Sequence, residues 1–103
     1  MNTVADFAAF SAEDWRALAS FLSPVECRAG APLFSEGEVS DGLYFLLSGQ
    51  FAVEKKGKLP GKKQTVALLS GGSVAGEGAV AGIARRRASL LCLEAGQVLF
   101  LSL

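Results

Sequence analysis

The chain has no histidine, only two cysteines, one tryptophan, one tyrosine and no net charge across its 103 residues. Each shortage closes off a class of function. Without histidine there is no Ser-His or Cys-His catalysis and no His-containing zinc site within the chain. Cys27 and Cys92 lie far apart without metal-ligand spacing, each among apolar neighbours, so small buried hydrophobes are the expected reading. Ten basic residues cancel ten acidic ones, which argues against a domain built mainly to bind nucleic acid. No run approaches the ~18 consecutive apolar residues of a membrane span. Asp6 stands near the N-terminus with no basic region ahead of an apolar core, so no secretory signal is expected and a cytoplasmic location is.

What is present is apolar. Hydrophobic residues make up 50% of a length that suits one domain, able to bury roughly two-thirds of its unfolded surface. Residues from Val4 to Leu22 read as helix. Ser11 is a good N-cap with Asp14 at the capping-box position, Phe10 and Trp15 stand where a hydrophobic staple places its pair, and Trp15, Leu18, Ala19 and Leu22 continue a helical stripe to Ser23-Pro24. This stripe is expected to pack on the domain's flank.

After Pro24 short apolar runs are separated by glycine turns, the spacing of an all-β sandwich or barrel. The expected strands are Val25–Arg28, Pro32–Phe34, Leu43–Leu47, Gln50–Lys55, Gln64–Leu69, Ser73–Ala75, Ala88–Leu93 and Gln97–Leu101. Phe51 and Val53 should face inward and Ala52 and Glu54 outward. The five lysines between Lys55 and Lys63 flank a Gly/Pro hairpin without aromatics to stack bases, so a solvated turn is expected. Gly57 to Lys62 is one residue short of a phosphate-binding P-loop, and Gly76, Gly78 and Gly82 do not keep dinucleotide-fingerprint spacing. Arg86-Arg87-Ala88-Ser89 looks like a kinase site, an accidental match if Ser89 begins a strand.

The chemistry concentrates between Ser73 and Leu90. Gly76, Glu77 and Gly78 open a very short helix that Gly82 ends. The first N–H groups of such a turn lack intrahelical partners and favour an anion. The small residues Gly78, Ala79 and Ala81 allow close approach to the backbone, and three arginines follow that can fork around an anion. A carboxylate in the same stretch, Glu77, suits a sugar hydroxyl. Amides, guanidinium and carboxylate together describe a site for a sugar phosphate.

At these residues the chain resembles the cyclic nucleotide-binding domain family, whose phosphate cassette reads roughly Phe-Gly-Glu, a small residue, and then Arg-x-Ala-Thr/Ser. Gly76-Glu77, Ala79 and Arg86-Arg87-Ala88-Ser89 match in type and spacing. Upstream, Leu33-Phe34-Ser35-Glu36-Gly37-Glu38, Asp41-Gly42, Tyr44-Phe45-Leu46 and Ser48-Gly49 match the family's glycine-punctuated hairpin.

The resemblance covers about Val25 to the end. It implies a mainly β fold, a jelly-roll-like β-sandwich of eight strands with a helical N-terminus and a short cassette helix, in one domain over residues 1–103 (1–23 helical, 24–103 sandwich). It implies a ligand site of Gly76, Glu77, Gly78, Ala79, Arg86, Ala88 and Ser89. There Glu77 accepts from a ribose 2′-hydroxyl, Arg86 and the amides near Gly78 and Ala79 hold the cyclic phosphate, and Ser89 sits near the base edge.

The implied function is regulatory, not enzymatic. The ligand is cAMP or cGMP with no metal, and an output domain beyond Leu103 or a partner protein receives the signal. No direct nucleic-acid or membrane contact is expected, and a homodimer is among the assemblies the reading allows. Ala75 in place of the usual aromatic and Gly78 in place of a bulky apolar residue favour the competing class, a degenerate domain serving interaction or dimerisation. In the family, helices follow the last strand and cap the base. Residues 98–101 are therefore expected to be left uncovered, giving weak binding and self-association.

Overall fold

Two antiparallel sheets face each other in the computed structural model, which describes residues 11–103 and, for the backbone alone, residues 4–6. One sheet has the order β1 (Val4–Asp6), β7 (Ser73–Ala75), β4 (Gly42–Leu46), β9 (Gly96–Ser102), β2 (Leu22–Cys27). The other runs β3 (Pro32–Phe34), β8 (Ser89–Glu94), β5 (Gln50–Lys56), β6 (Lys63–Ser70). All eight expected strands are present to within three residues at their ends, because glycine turns punctuate the chain after Pro24. The lysines from Lys55 to Lys63 are exposed around the β5–β6 turn.

The N-terminal segment differs from the expectation of continuous helix. Val4–Asp6 is the ninth strand, paired with Ser73–Ala75 of β7. The helix α1 spans only Ala12–Leu18, followed by a 3₁₀ turn at Ala19–Phe21, and Leu22 already pairs with Leu101 as the first residue of β2. Pairing with distant strands overrides a helical stripe that local sequence alone favours. The capping box is formed as expected: Asp14 N–H donates to Ser11 Oγ at 3.1 Å and Ser11 N–H to Asp14 Oδ2 at 2.8 Å. The expected Phe10–Trp15 staple falls on Phe10, outside the described residues.

β4 is apolar throughout because both its faces are covered. Leu46 lies between the sheets, in a cluster with Phe51, Val53, Leu69, Leu90, Cys92 and Val98. Leu43 and Phe45 point the other way, with Val74 and Leu101, against Trp15 and Leu18 of α1. The Trp15 and Phe45 rings meet edge to face, 5.1 Å between centroids at 66°. A seven-residue helix is marginal alone in water, so this face holds α1 in place.

Two burial expectations are corrected. Ala52 does not face water: it is buried, flanked across the sheet by its register partners Leu68 and Leu91. Residues 98–101 are largely covered: Val98 and Leu101 are buried, and Leu99 and Phe100 are half-buried. β9 runs between β4 and β2 rather than at an edge; Val98 joins the inter-sheet cluster, and Leu99 and Leu101 pack with α1. The basis for expecting self-association through this strand disappears.

Phe45, fully buried at the junction of sheet and helix, should be the costliest truncation here. Phe45→Ala should lose about 3–5 kcal/mol of unfolding free energy, and Ser11→Ala about 1 kcal/mol, measured by urea titration. A Phe45→Ala midpoint equal to wild type would show that the helix does not depend on this contact.

Candidate functional site

The turn after β7 is built on Gly76. Its φ of 87° is left-handed, and a Cβ there would sit 2.5 Å from Arg86 Nη1 and 3.1 Å from Gly42 O. Only glycine meets both demands. A 3₁₀ turn, Glu77–Ala79, follows, and a second glycine with positive φ, Gly82, reverses the chain. Ala79 N–H donates back to Gly76 O at 3.2 Å, so this amide, expected to face a ligand, is engaged within the turn. Ile83 packs over Gly78, 3.4 Å from where a Cβ would stand, and closes the room left by the missing side chain.

Chain reversal brings Arg86 back onto Gly76. The backbone of Arg86 is pinned by the β3–β4 loop: its N–H donates to Glu38 O at 2.7 Å and its carbonyl accepts from Gly37 N–H at 2.8 Å. The side chain is only 3% exposed. Nη2 donates to Asp41 Oδ1 and to Gly42 O, both at 3.0 Å, and Nη1 to Gly76 O at 3.4 Å. The guanidinium lies over the Phe34 ring, 4.3 Å from its centroid, with Tyr44 at 5.7 Å. Arg85 and Arg87 are exposed, Arg85 with Nη1 donating to Gly37 O at 3.3 Å, so neither crowds it.

Two buried side-chain polar atoms among the described residues lack a hydrogen-bond partner, Glu77 Oε1 and Arg86 Nε. They belong to opposite charges on the two sides of the same turn. Burial raises the Glu77 carboxyl above its ordinary value of 4.5. Ala88 is buried, and Ser89 begins β8 as expected. The Ser89 hydroxyl accepts from Glu36 N–H at 2.8 Å, which leaves its own hydrogen free to donate elsewhere.

The sequence matches the description "Cyclic nucleotide-binding domain" over residues 24–103. The chain belongs to the cyclic nucleotide-binding domain family. Among curated proteins no match was found. Among solved structures, the N-terminal domain of a transcriptional regulator from Streptomyces coelicolor is 26% identical with a TM-score of 0.82, over 93% of this chain and 68% of that one. The catabolite activator protein of Thermus thermophilus is 27% identical with a TM-score of 0.81, over 93% of this chain and 45% of its own. The regulatory domain of Toxoplasma gondii PKA, crystallised with cAMP, shares the fold at 22% identity and a TM-score of 0.80, over 92% of this chain and 36% of its own. The present chain thus spans less than half of the last two.

Within this cyclic nucleotide-binding domain, the structure gathers Gly76, Glu77, Gly78, Ala79 and Arg86 into one turn, and sets Ala88 and Ser89 on the strand leaving it. Sequence reasoning did not assign Asp41, Gly42, Phe34 and Tyr44 to the site. A buried arginine in a neutral chain signals that some carboxylate must approach it. With ten acidic residues to choose from, nothing local selects Asp41.

The raised Glu77 carboxyl gives a pH test. The folded chain holds this proton more tightly than the unfolded chain does. The stability this carboxyl contributes is therefore fully present below about 4.5 and is lost as pH rises through the raised value. Glu77→Gln, neutral throughout, should gain on wild type as pH rises above about 4.5 in urea-midpoint measurements. A constant difference between the two proteins across that range would show that the carboxyl is not held up by the fold.

Proposed function

We propose that this domain binds a cyclic nucleotide, cAMP or cGMP, and passes the binding on to an attached output domain or partner. The observation that carries the reading is the pair of buried, unpartnered atoms, Glu77 Oε1 and Arg86 Nε, at the two cassette positions. Nε and Nη2 form one edge of the guanidinium, the edge that grips an oxyanion in a bidentate fork. Nη2 is at present shared by Asp41 and Gly42, and a cyclic phosphate fits that edge if it takes over from Asp41. Glu77 Oε1 suits a sugar hydroxyl as donor. No metal is needed for either contact. cAMP is the ligand in structures of this fold from Toxoplasma gondii PKA and in PfPKA-R.

The second reading, a domain of the same fold that has lost its ligand, is favoured by one observation. Arg86 is already held by Asp41, Gly42 and Gly76 and stacked on Phe34. Titration calorimetry with cAMP and with cGMP separates the two readings and orders the two nucleotides. Heat with neither, from protein that unfolds cooperatively, would establish the second.

On the first reading, Arg86→Ala should weaken binding roughly ten- to a hundredfold, since a hydrogen bond to a charged group contributes about 1.5–3 kcal/mol. Superimposable titrations of wild type and Arg86→Ala would place the ligand elsewhere.

The lysine turn should be dispensable. With Lys55, Lys56, Lys58, Lys62 and Lys63 replaced by Gln or Ser, affinity at physiological salt should stay within about threefold, because exposed charges are screened over ~8 Å. A tenfold loss in the same titration would mean that the turn reaches the phosphate.

A further inference from the structure

The two cysteines take no part in the nucleotide site, yet the fold brings them together. Cys27 closes β2 in one sheet and Cys92 lies within β8 of the other, so they meet across the sandwich interior. Backbone bonds tie the two segments: Cys92 N–H donates to Ala31 O at 2.9 Å, and Cys92 O accepts from Gly30 N–H at 2.8 Å, just after Cys27 in the chain. Both side chains are buried in one cluster, close enough for the Cys92 thiol to act on the Cys27 thiol, while the Cys92 thiol donates to Glu94 O at 3.2 Å. A cavity of about 230 Å³ opens beside them, with Cys27, Val25, Leu33, Tyr44 and Phe100 in its wall. Exposed Glu26 is also in the wall, so the cavity reaches the surface. Its volume is several times the ~30 Å³ a water molecule occupies, enough for a small peroxide.

We propose that Cys27 and Cys92 are a site of reversible covalent modification, an intramolecular disulfide that joins the two sheets when a peroxide is present. Cys27 is the attacking sulfur, because it is the one that lines the cavity. Its thiolate attacks one peroxide oxygen and the O–O bond breaks. Cys27 becomes a sulfenic acid, and the departing hydroxide takes up the thiol's proton as water. Cys92 sulfur then displaces the hydroxyl from Cys27 sulfur, forming the S–S bond and releasing a second water with the Cys92 proton. Two thiols are oxidised and one peroxide is reduced to two waters, and a reducing dithiol reverses the change. Backbone bonds from residues 30 and 31 to Cys92 already hold the two segments together, and side-chain rotation brings the sulfurs toward bonding geometry.

Burial pushes the Cys27 thiol up to about 11 and raises Cys92 as well, so thiolate is scarce at neutral pH. The site is therefore slow, answering sustained rather than brief oxidation. Its closure fixes β2, the sheet edge, to β8, the strand that leaves the cassette at Ser89.

The test uses the native chain. It is incubated with hydrogen peroxide, remaining thiols are alkylated under denaturing conditions, and the product is digested with trypsin without reductant. The expected product is peptide 17–28 joined to peptide 88–103, two hydrogens lighter than the separate thiol peptides and separated by dithiothreitol. The oxidised monomer should melt about 10 °C higher, as a disulfide closing a long loop predicts. Any of three results would overturn the proposal: both cysteines recovered alkylated, both carried to sulfinic or sulfonic acid without a cross-link, or a cross-link found only between chains.

Discussion

A guanidinium that is 3% exposed sets the terms for everything around it. A buried cation costs several kcal/mol unless it is paired and hydrogen-bonded. Four features answer that cost here. Asp41 supplies the opposite charge and shares Nη2 with the Gly42 carbonyl, the Gly76 carbonyl accepts from Nη1, and the Phe34 ring covers one face. Each has a structural requirement of its own. Gly76 must lack a side chain, Gly42 must stand at the start of β4, and Phe34 must end β3. Conformational freedom at Gly76 thus follows from the arginine it accommodates.

The site inherits its rigidity from β4. That strand pairs with β7 on one side and β9 on the other, and both its faces are packed. Gly42 and Gly76 lie at neighbouring ends of β4 and β7, so the two carbonyls that hold Arg86 are fixed by the sheet. The third wall is a loop, residues 35–40, but Gly37, Glu38 and Ser40 bond to residues 84–86 and pin the returning cassette chain. Placing a site on strand ends supported by packed neighbours preserves its geometry better than free loops do.

The strand frame was legible because glycine punctuation is a local signal, and local signals survive folding. Gly30, Gly37, Gly49, Gly61, Gly72, Gly76 and Gly82 all have positive φ, as turns between short strands require. The failures share one cause. Val4–Asp6 and Leu22 carry helical spacing, but distant partners, β7 for one and Leu101 for the other, decide their conformation. Ala52 is buried between register partners on β6 and β8, Leu68 and Leu91, which no window on β5 contains. The residues that meet at the turn after β7 are near neighbours in sequence and could be singled out together, whereas Asp41 could not, since its contact lies 45 residues along the chain. Local order could be read from the sequence, but long-range closure could not.

On the proposed reading, the ligand must replace what Asp41 gives to Arg86. The two partners are unequal: Asp41 is 63% exposed and can turn to water, while Arg86 cannot. Asp41 itself returns to water readily, but the buried Arg86 cannot be left unpaired, so the phosphate has to arrive as the carboxylate leaves. The incoming phosphate also reaches Nε, which has no partner within the described chain. The exchange keeps the buried cation paired throughout and adds one contact. Asp41 has a second attachment, since its carbonyl accepts from Leu103 N–H at 3.0 Å. The residue displaced by ligand is therefore bonded to the chain just past the end of β9. On that reading, a ligand contact at the side chain of Asp41 is coupled through its backbone bond to the position of Leu103.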